Sequence, residues 1–212
     1  MCKFDFPKSI YMNKKMVISG LLLFNFTMYC QTAVEHYNMG IESDNIENRE
    51  EAIVAYSKAI ELNPSYTKAY INRGFDRLVL GDGIGAVTDL TKAISLDQKL
   101  EDAYYYRGNA KYDLGDFRGA ILDYNISISL KPDQAGKFYN RGLAKFKIED
   151  YKGALADYNK SISLKPDYAA TYYNRGVAKL KLNDKNGACL DWSKAGELGD
   201  KDAYDLIKSN CQ

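Results

Sequence analysis

Histidine, an excess of charge of one sign, and long apolar runs are all scarce in this sequence. The 212 residues contain a single histidine, His36. A multi-histidine metal site is therefore impossible, and a Ser-His-Asp or Cys-His catalytic site could use only that residue. The 29 basic and 28 acidic residues leave a formal net charge of +1. A general nucleic-acid binder needs a basic excess, so we expect no nucleic-acid partner.

What is present is the composition of a folded protein that is rich in tyrosine. Apolar residues make up 46% and charged residues 27% of the chain, as in folded soluble proteins rather than disordered ones. There are 18 tyrosines but only four prolines. The charge is unevenly spread, because residues 1–32 carry four lysines against one aspartate. A basic start before a nearly neutral body indicates a targeting segment.

The longest apolar stretch lies near the N-terminus. Lys14 and Lys15 precede Met16–Tyr29, a run of 14 residues of which three are polar. A membrane span needs about 20 residues, whereas a basic stub before a short apolar stretch is typical of a secretory signal. We therefore expect 1–32 to be a signal peptide that is cut near Cys30. The product would be exported to the periplasm or beyond, where it could associate with the cell envelope.

Cys30 leaves other interpretations of this segment open. Acylation of that cysteine would make the chain a lipoprotein, although lipoprotein processing favours a small residue where Tyr29 stands. A retained anchor or a cytosolic product is a further alternative. Met12 or Met16 could be the true start, since residues 1–11 lie outside the usual signal pattern.

A period of 34 residues runs from residue 33 to residue 202. A glycine recurs five times at this spacing, and so do an alanine twelve residues later and a leucine ten residues after that. The positions are Gly40, Gly74, Gly108, Gly142 and Gly176; Ala52, Ala86, Ala120, Ala154 and Ala188; and Leu62, Leu96, Leu130, Leu164 and Leu198. They define five units, 33–66, 67–100, 101–134, 135–168 and 169–202.

Each unit contains two stretches with the spacing of an amphipathic helix. In unit three the first is Ala103–Leu114, in which aromatic and small residues recur every four positions. Gly115 then marks a turn, and the second stretch is Phe117–Leu130. Pro132 follows it, and proline cannot continue a helix. Each unit is therefore predicted to be a helix pair.

The repeated glycine and the aromatic positions have a packing explanation. Glycine inside a helix costs about 1 kcal/mol relative to alanine, so five copies indicate that two helix backbones approach closely. Large residues then fill the core between the helices. These residues are His36, Tyr70, Tyr104, Phe138 and Tyr172 in the first helices and Tyr56, Leu90, Tyr124, Tyr158 and Trp192 in the second.

This pattern resembles the tetratricopeptide repeat (TPR) family over residues 33–202. The resemblance rests on an aromatic residue, a glycine four residues later, an alanine twelve after that, a second aromatic four later and often a terminal proline. It implies an all-α fold, a right-handed superhelix of five helix pairs with a concave ligand face. Residues 203–212 would form a capping helix. With the signal-like start, the chain looks like a secreted or periplasmic bacterial TPR protein.

One departure from the family pattern suggests a recurring ion pair. The family usually has leucine before the glycine, but units two to five have arginine there and aspartate sixteen residues later. Unit one has Met39 and Ala55 instead. The pairs are Arg73 with Asp89, Arg107 with Asp123, Arg141 with Asp157, and Arg175 with Asp191. We hypothesise that each pair fixes helix register within a unit or between adjacent units; independent solvated charges are the alternative.

The resemblance also implies which residues face the groove, because the first helix of each unit lines it in this family. We select Tyr37, Asn38, Asn72, Phe75, Tyr105, Asn109, Tyr112, Tyr139, Asn140, Phe146, Tyr173 and Asn174. Leu78 and Leu143 also occupy groove positions of the family. Asparagine can hold a peptide backbone without reading its sequence, and tyrosine combines a large apolar face with a polar tip. Alternatively, these tyrosines pack between helices and the asparagines bond helix to helix.

One ligand class can be disfavoured. Chaperone-binding members of the family clamp a C-terminal carboxylate with lysine, arginine and asparagine side chains. Here the asparagines are present, but Tyr105 and Ala170 stand at two of the cation positions in units three to five. We therefore do not expect an anionic C-terminus to be the ligand.

No residue set points to catalysis. His36 occupies an aromatic core position, and Gly81–Gly85 lacks the Lys-Ser/Thr of a phosphate-binding loop, so we interpret it as a loosened turn. No metal-type cysteine or histidine cluster occurs. We favour a buried free thiol at Cys189, whose equivalents in the other units are apolar, and a frayed Cys211, although export would permit a disulfide between them.

We therefore expect a non-catalytic scaffold, with no metal and no cofactor, that binds an extended peptide or a partner helix in its groove. The partner would be a protein or peptide that the sequence does not name. A carbohydrate-binding module of the cell envelope is the alternative, since tyrosine rings and asparagine amides also suit sugars. A third possibility is a component that assembles end to end because its terminal helix fails to cap the stack.

Overall fold

The computed structural model describes residues 32–45 and 47–211, which form eleven α-helices and no β-strand. The helices are α1 (Ala33–Asn45), α2 (Arg49–Leu62), α3 (Thr67–Val79), α4 (Gly83–Leu96), α5 (Glu101–Asp113), α6 (Phe117–Leu130), α7 (Ala135–Lys147), α8 (Tyr151–Leu164), α9 (Ala169–Lys181), α10 (Lys185–Glu197) and α11 (Asp202–Asn210). The predicted signal peptide lies outside the described residues except for Thr32, as do Cys2 and Cys30.

The turn within each helix pair is set by two adjacent residues that repeat with the period. The first has a left-handed backbone, with φ between 60 and 83°, as at the ends of many helices. These residues are Glu47, Gly81, Gly115, Glu149 and Asn183. The next residue, an asparagine or aspartate, caps the second helix by accepting the backbone N–H three residues on. Each chain reversal is thus fixed locally.

The glycine-rich segment of unit two differs from our interpretation. Helix α4 begins at Gly83, so only Gly81 and Asp82 belong to the turn and the later glycines are helical. The Asp82 carboxylate accepts the N–H of Gly85, which gives this helix the same cap as its counterparts. The interpretation of the whole segment as a loosened turn was wrong because the cap, rather than the glycine content, decides where the helix begins.

Small residues and large aromatics interlock inside each pair. A Cβ atom added to the repeated glycine would lie 2.4–2.9 Å from the large residue on the second helix, so only glycine fits there. In unit three, for example, Gly108 faces the ring of Tyr124. The repeated alanine on the second helix, such as Ala120, is fully buried as well. The close helix contact that the glycine spacing predicts is present.

The pairs stack in sequence order to form a solenoid. Each helix packs on the next, and α3 also contacts α5, α5 contacts α7, and α7 contacts α9. Contacts between successive first helices are expected on the inner side of a curved stack. The first helices therefore line the concave face. No helix among residues 32–45 and 47–211 is long and apolar enough to cross a membrane.

The C-terminal helix α11 covers the last pair and is tied to it. Ala203 is fully buried, and Leu206 and Ile207 pack against the cluster around Trp192. A disulfide joins Cys189 of α10 to Cys211, whose Cα atoms lie 5.8 Å apart. Our expectation of a free thiol and a frayed terminus was wrong, because α11 folds back along α10 and brings the end of the chain to Cys189.

Candidate functional site

Each recurring arginine contacts the aspartate sixteen residues later, on the other helix of the same unit. The contact is bidentate: Nη2 lies 2.5–2.6 Å from one carboxylate oxygen and Nε lies 2.8–2.9 Å from the other. The four aspartates are 2–4% exposed. A second cation four residues after the arginine also contacts each aspartate, at 2.8 Å. These carboxylates are thus buried but fully compensated.

The same arginines also link neighbouring units. The remaining Nη1 group of each arginine donates to a polar side chain on the second helix of the preceding unit, at 2.8–3.1 Å. The acceptors are Ser57, Thr91, Asn125 and Asn159. Each guanidinium also lies 5.3–5.8 Å from the centre of an aromatic ring three residues earlier. One side chain therefore fixes both the helix pair and its position on the pair before it.

The selected asparagines Asn38, Asn72, Asn140 and Asn174 occupy the same position of their helix pairs and form the amide stripe, of which the last three bond to the preceding unit. Asn140 donates through Nδ2 to the Tyr105 hydroxyl at 3.0 Å and to Asn109 Oδ1 at 2.9 Å. Asn72 and Asn174 donate in the same way to the tyrosine 35 residues earlier, Tyr37 and Tyr139, at 3.3 and 3.1 Å. Helix-to-helix bonding, which the sequence left as an alternative, therefore occupies the nitrogen of these amides.

This bonding has a chemical consequence for the groove. In Asn72, Asn140 and Asn174 every side-chain hydrogen bond within the described residues uses Nδ2. An amide oxygen can accept two hydrogen bonds. The carbonyl oxygens therefore form a row of acceptors whose orientation is fixed by the nitrogen on the other side. Such a row suits the N–H groups of a ligand.

The selected tyrosines Tyr37, Tyr105, Tyr139 and Tyr173 form an aromatic stripe, and the first three pack on other tyrosines. The ring centres of Tyr37 and Tyr66 lie 5.0 Å apart, and so do those of Tyr139 and Tyr168. Tyr66 and Tyr168 are the last residues of their units. Burial raises the pKa of Tyr139 to about 12, and burial likewise raises the pKa of Tyr105. These hydroxyls are therefore neutral at physiological pH, where they act as hydrogen-bonding groups in the array.

A cavity of about 430 Å³ opens on the concave face between α3, α5 and α7. Four of the selected groove residues line it: Phe75, Asn109, Tyr112 and Asn140. The other lining residues are Leu78, Val79, Asp113, Tyr124 and Leu143. Most of the exposed wall is apolar, and the polar groups are the two amides, the tyrosine hydroxyls and the Asp113 carboxylate. A largely apolar cleft with a few oriented polar groups is typical of a ligand site.

The remaining selected residues lie outside this cavity. Asn38 is exposed on α1, while Phe146 packs edge-on against Tyr151 at 5.1 Å. The backbone carbonyl of Tyr173 accepts the indole N–H of Trp192 at 3.2 Å. Of the residues that line the cavity, sequence reasoning missed Val79 and Asp113, because each follows a groove position of the family by one residue. Their shared place in the 34-residue period was the signal that could have found them.

A second polar cluster, which sequence reasoning missed, lies where unit one meets unit two. Asp76 is fully buried and accepts a hydrogen bond from Arg49 at 2.8 Å. The Asp44 carboxylate accepts a hydrogen bond from the Tyr56 hydroxyl. The signal was present in the sequence, since Asp76 corresponds to alanine in units three to five and Asp44 corresponds to Leu78, Tyr112, Phe146 and Leu180 in the later units.

The described part of the chain contains no group of three or more histidine, cysteine, aspartate or glutamate side chains arranged to hold a metal ion. His36 is half-buried on α1.

Comparison with known proteins bears on the repeat pattern. A family model described as "TPR repeat" matches residues 108–149 and 145–183, and one described as "Tetratricopeptide repeat" matches residues 36–66. Together these matches span about half of the chain. A search of curated proteins finds no match.

Several solved structures share the fold. A structure of MamA is 26% identical and covers 78% of this chain and 97% of its own, with a TM-score of 0.73. MamA from Desulfovibrio magneticus RS-1 is 20% identical and covers 78% and 94%, with a TM-score of 0.75. YrrB, described as a TPR protein with an unusual peptide-binding site, is 21% identical and covers 83% and 92%, with a TM-score of 0.74.

These matches agree with the helix pairs and with the 34-residue period. The predicted fold class, an all-α TPR solenoid, is confirmed. Its architecture is that of a protein-interaction scaffold. The chain belongs to the tetratricopeptide repeat family.

Proposed function

We propose that this protein is a non-catalytic scaffold that binds an extended peptide segment of a partner protein on its concave face, in the cavity between α3, α5 and α7. The observation that supports this most is the combination of apolar walls with the oriented carbonyl oxygen of Asn140 in one cleft. An apolar side chain of the peptide would fill the cavity beside Phe75 and Leu143. Its backbone N–H groups would donate to the row of asparagine carbonyl oxygens.

A peptide fits this surface better than a sugar does. Sugar binding of the kind the sequence suggested needs tyrosine rings with an open face and amides with both donors and acceptors free. Here Tyr37 and Tyr139 pack on other rings, and the amide nitrogens of Asn72, Asn140 and Asn174 are already bonded. Acceptors in one row match a backbone that presents N–H groups.

Val79 gives a direct test of the cavity. It is 50% exposed and lines the cleft, so Val79→Glu places a charge among the apolar walls without disturbing the buried core. We expect peptides selected from a random library on the wild-type protein to bind the variant at least about tenfold more weakly. Isothermal titration calorimetry measures the difference.

The matched control is Leu122→Glu, at a residue of α6 that is 64% exposed and is not part of the cavity lining. It adds the same charge to the same chain, and its affinity should stay within about twofold of wild type. Equal affinity of both variants and wild type would place the peptide elsewhere. A selection that yields no peptide but a glycan array that yields a ligand would favour the sugar-binding alternative.

We also propose that the chain is exported and works outside the reducing cytosol. The disulfide between Cys189 and Cys211 supports this, because such bonds persist in oxidising compartments. Intact mass measurement of the protein recovered from its native cell should show a chain that begins close to Cys30. A chain that keeps Met1, Met12 or Met16 would contradict export through a cleaved signal, and acyl chains on Cys30 would show a lipid-anchored form.

A further inference from the structure

Unit one is joined to unit two by a cluster that no other pair of units contains. Unit one lacks the arginine–aspartate pair of the later units. Instead, Asp44 of α1 and Arg49 of α2 face Asp76 of α3. Arg49 Nη1 lies 2.8 Å from Asp76 Oδ1, while it lies 3.8 Å from Asp44 Oδ1, which is too far for a hydrogen bond. A single cation therefore serves two carboxylates.

Each carboxylate has one buried oxygen without a hydrogen bond. These atoms are Oδ1 of Asp44 and Oδ2 of Asp76. The other oxygen of each carboxylate accepts a hydrogen bond: Oδ2 of Asp44 from the Tyr56 hydroxyl, and Oδ1 of Asp76 from Arg49. A buried ionised oxygen without a donor is strongly unfavourable. One hydrogen placed between the two carboxyl groups would satisfy both atoms at once.

We propose that Asp44 and Asp76 share one proton, and that loss of this proton loosens the first helix pair from the rest of the stack. With the proton in place, one carboxyl group and one carboxylate face a single arginine, and the cluster is neutral. Without it, the buried carboxylate of Asp76 and the partly buried carboxylate of Asp44 repel each other across the joint between α1 and α3. Separation of unit one from unit two would let water reach both groups.

The other groups around the pair do not supply the missing charge. On α3 itself, Arg73 and Arg77 are both bound to Asp89 of α4. From α2, Tyr56 donates to Asp44 and accepts from Asn72 at 3.3 Å. From α5, Tyr106 packs its ring on Phe75, 4.9 Å away, and carries no charge that could compensate the pair. Arg49 is thus the cation that serves this joint.

The direction of the pH dependence follows from the burial. Burial is the main cause that raises the pKa of Asp76 to about 7, and the neighbouring Asp44 raises it further, against the opposing effect of Arg49. In a released unit this carboxyl would titrate near its ordinary value, roughly 4. The docked state therefore binds the extra proton between these values, so docking is favoured in acid and weakens as the pH rises through about 7.

The cluster reaches the groove through Arg49. Its guanidinium lies 5.4 Å from the centre of the Phe75 ring, which lines the cavity. Release of unit one would remove this contact at one end of the cavity. The proton-dependent joint does not depend on what the groove binds, and its test needs no ligand.

Hydrogen–deuterium exchange of the whole protein, followed by mass spectrometry, tests the joint. After correction for intrinsic exchange, peptides from α1 should exchange roughly tenfold or more faster at about pH 8 than at about pH 5. Peptides from α8 and α10 should change little. Asp44→Asn keeps the charge of Asp76 opposite Arg49 and supplies a permanent amide hydrogen, so its α1 exchange should be nearly independent of pH.

Asp167→Asn, at an exposed aspartate before α9, is the matched control and should keep the wild-type pH dependence. Equal α1 exchange at both pH values in wild type, or an unchanged pH dependence in Asp44→Asn, would overturn the proposal. If Asp44→Asn does not fold, a measurement on the wild-type protein replaces it. Carbon NMR of the aspartate carboxyl groups should show one group that titrates near pH 7. Titration of every aspartate near pH 4 would also overturn it.

Discussion

Replacing Asp157 by alanine is expected to lower the free energy of unfolding by about 3 kcal/mol. The change removes a buried carboxylate that binds Arg141 through two hydrogen bonds and Lys145 through a third contact. Both cations are largely covered by protein, so neither is fully solvated once the carboxylate is gone. Urea unfolding followed by circular dichroism measures the loss, with the slope of the transition compared between variants because repeat proteins can unfold in parts.

Unit one provides the control for this experiment, since Met39 and Ala55 occupy the corresponding positions there. The double variant Arg141→Met/Asp157→Ala reproduces that pair in unit four. It should recover part of the loss, because Arg141 is no longer present without its partner and only Lys145 remains uncompensated. A coupling energy of about 1 kcal/mol or more between the two positions is expected. Additive effects of the single variants would mean that these charges act independently.

Reduction of the disulfide between Cys189 and Cys211 is expected to destabilise the C-terminal end by roughly 3 kcal/mol. The bond closes a segment with a sequence separation of 22 residues and holds α11 against the cluster around Trp192. Loss of α11 would expose this indole, the only tryptophan in the chain, to water. Thermal unfolding monitored by tryptophan fluorescence, with and without reductant, measures the change.

Cys211→Ser distinguishes the bond from other effects of the reductant. Its transition should match that of the reduced wild type, and reductant should not shift it further. A wild-type transition that is indifferent to reductant would contradict the role given to this bond. Association of the reduced protein, seen by size-exclusion chromatography, would show that α11 prevents end-to-end stacking of the last helix pair.

The repeat pattern made the fold and the ion pairs predictable because both are local. Each helix pair, its glycine contact and its turn lie within 34 residues, so five copies repeat the same signal in one chain. The bond between Arg141 and Asp157 spans 16 residues inside one unit, and unit one changes at both positions together. A contact that recurs at fixed spacing leaves a trace in a single sequence.

Contacts that cross units, or that lie outside the period, left weaker traces. The amide stripe was visible, but the bond from Asn140 to Tyr105 joins two different units, so the sequence could not decide whether the amide faces a ligand or a helix. The disulfide at Cys211 depends on how α11 folds back, and α11 follows the last unit. The cluster of Asp44, Arg49 and Asp76 combines three helices, although both aspartates stand where the later units have apolar or aromatic residues.

The most direct test of the central claim is to find where a partner touches the protein. A photo-crosslinking amino acid placed at position 79, inside the cavity, should capture the selected peptide or its parent protein in cell extract. The same group at position 122, which is exposed on α6, should capture much less. Strong crosslinks from position 122 together with none from position 79 would show that the concave cavity is not the binding surface.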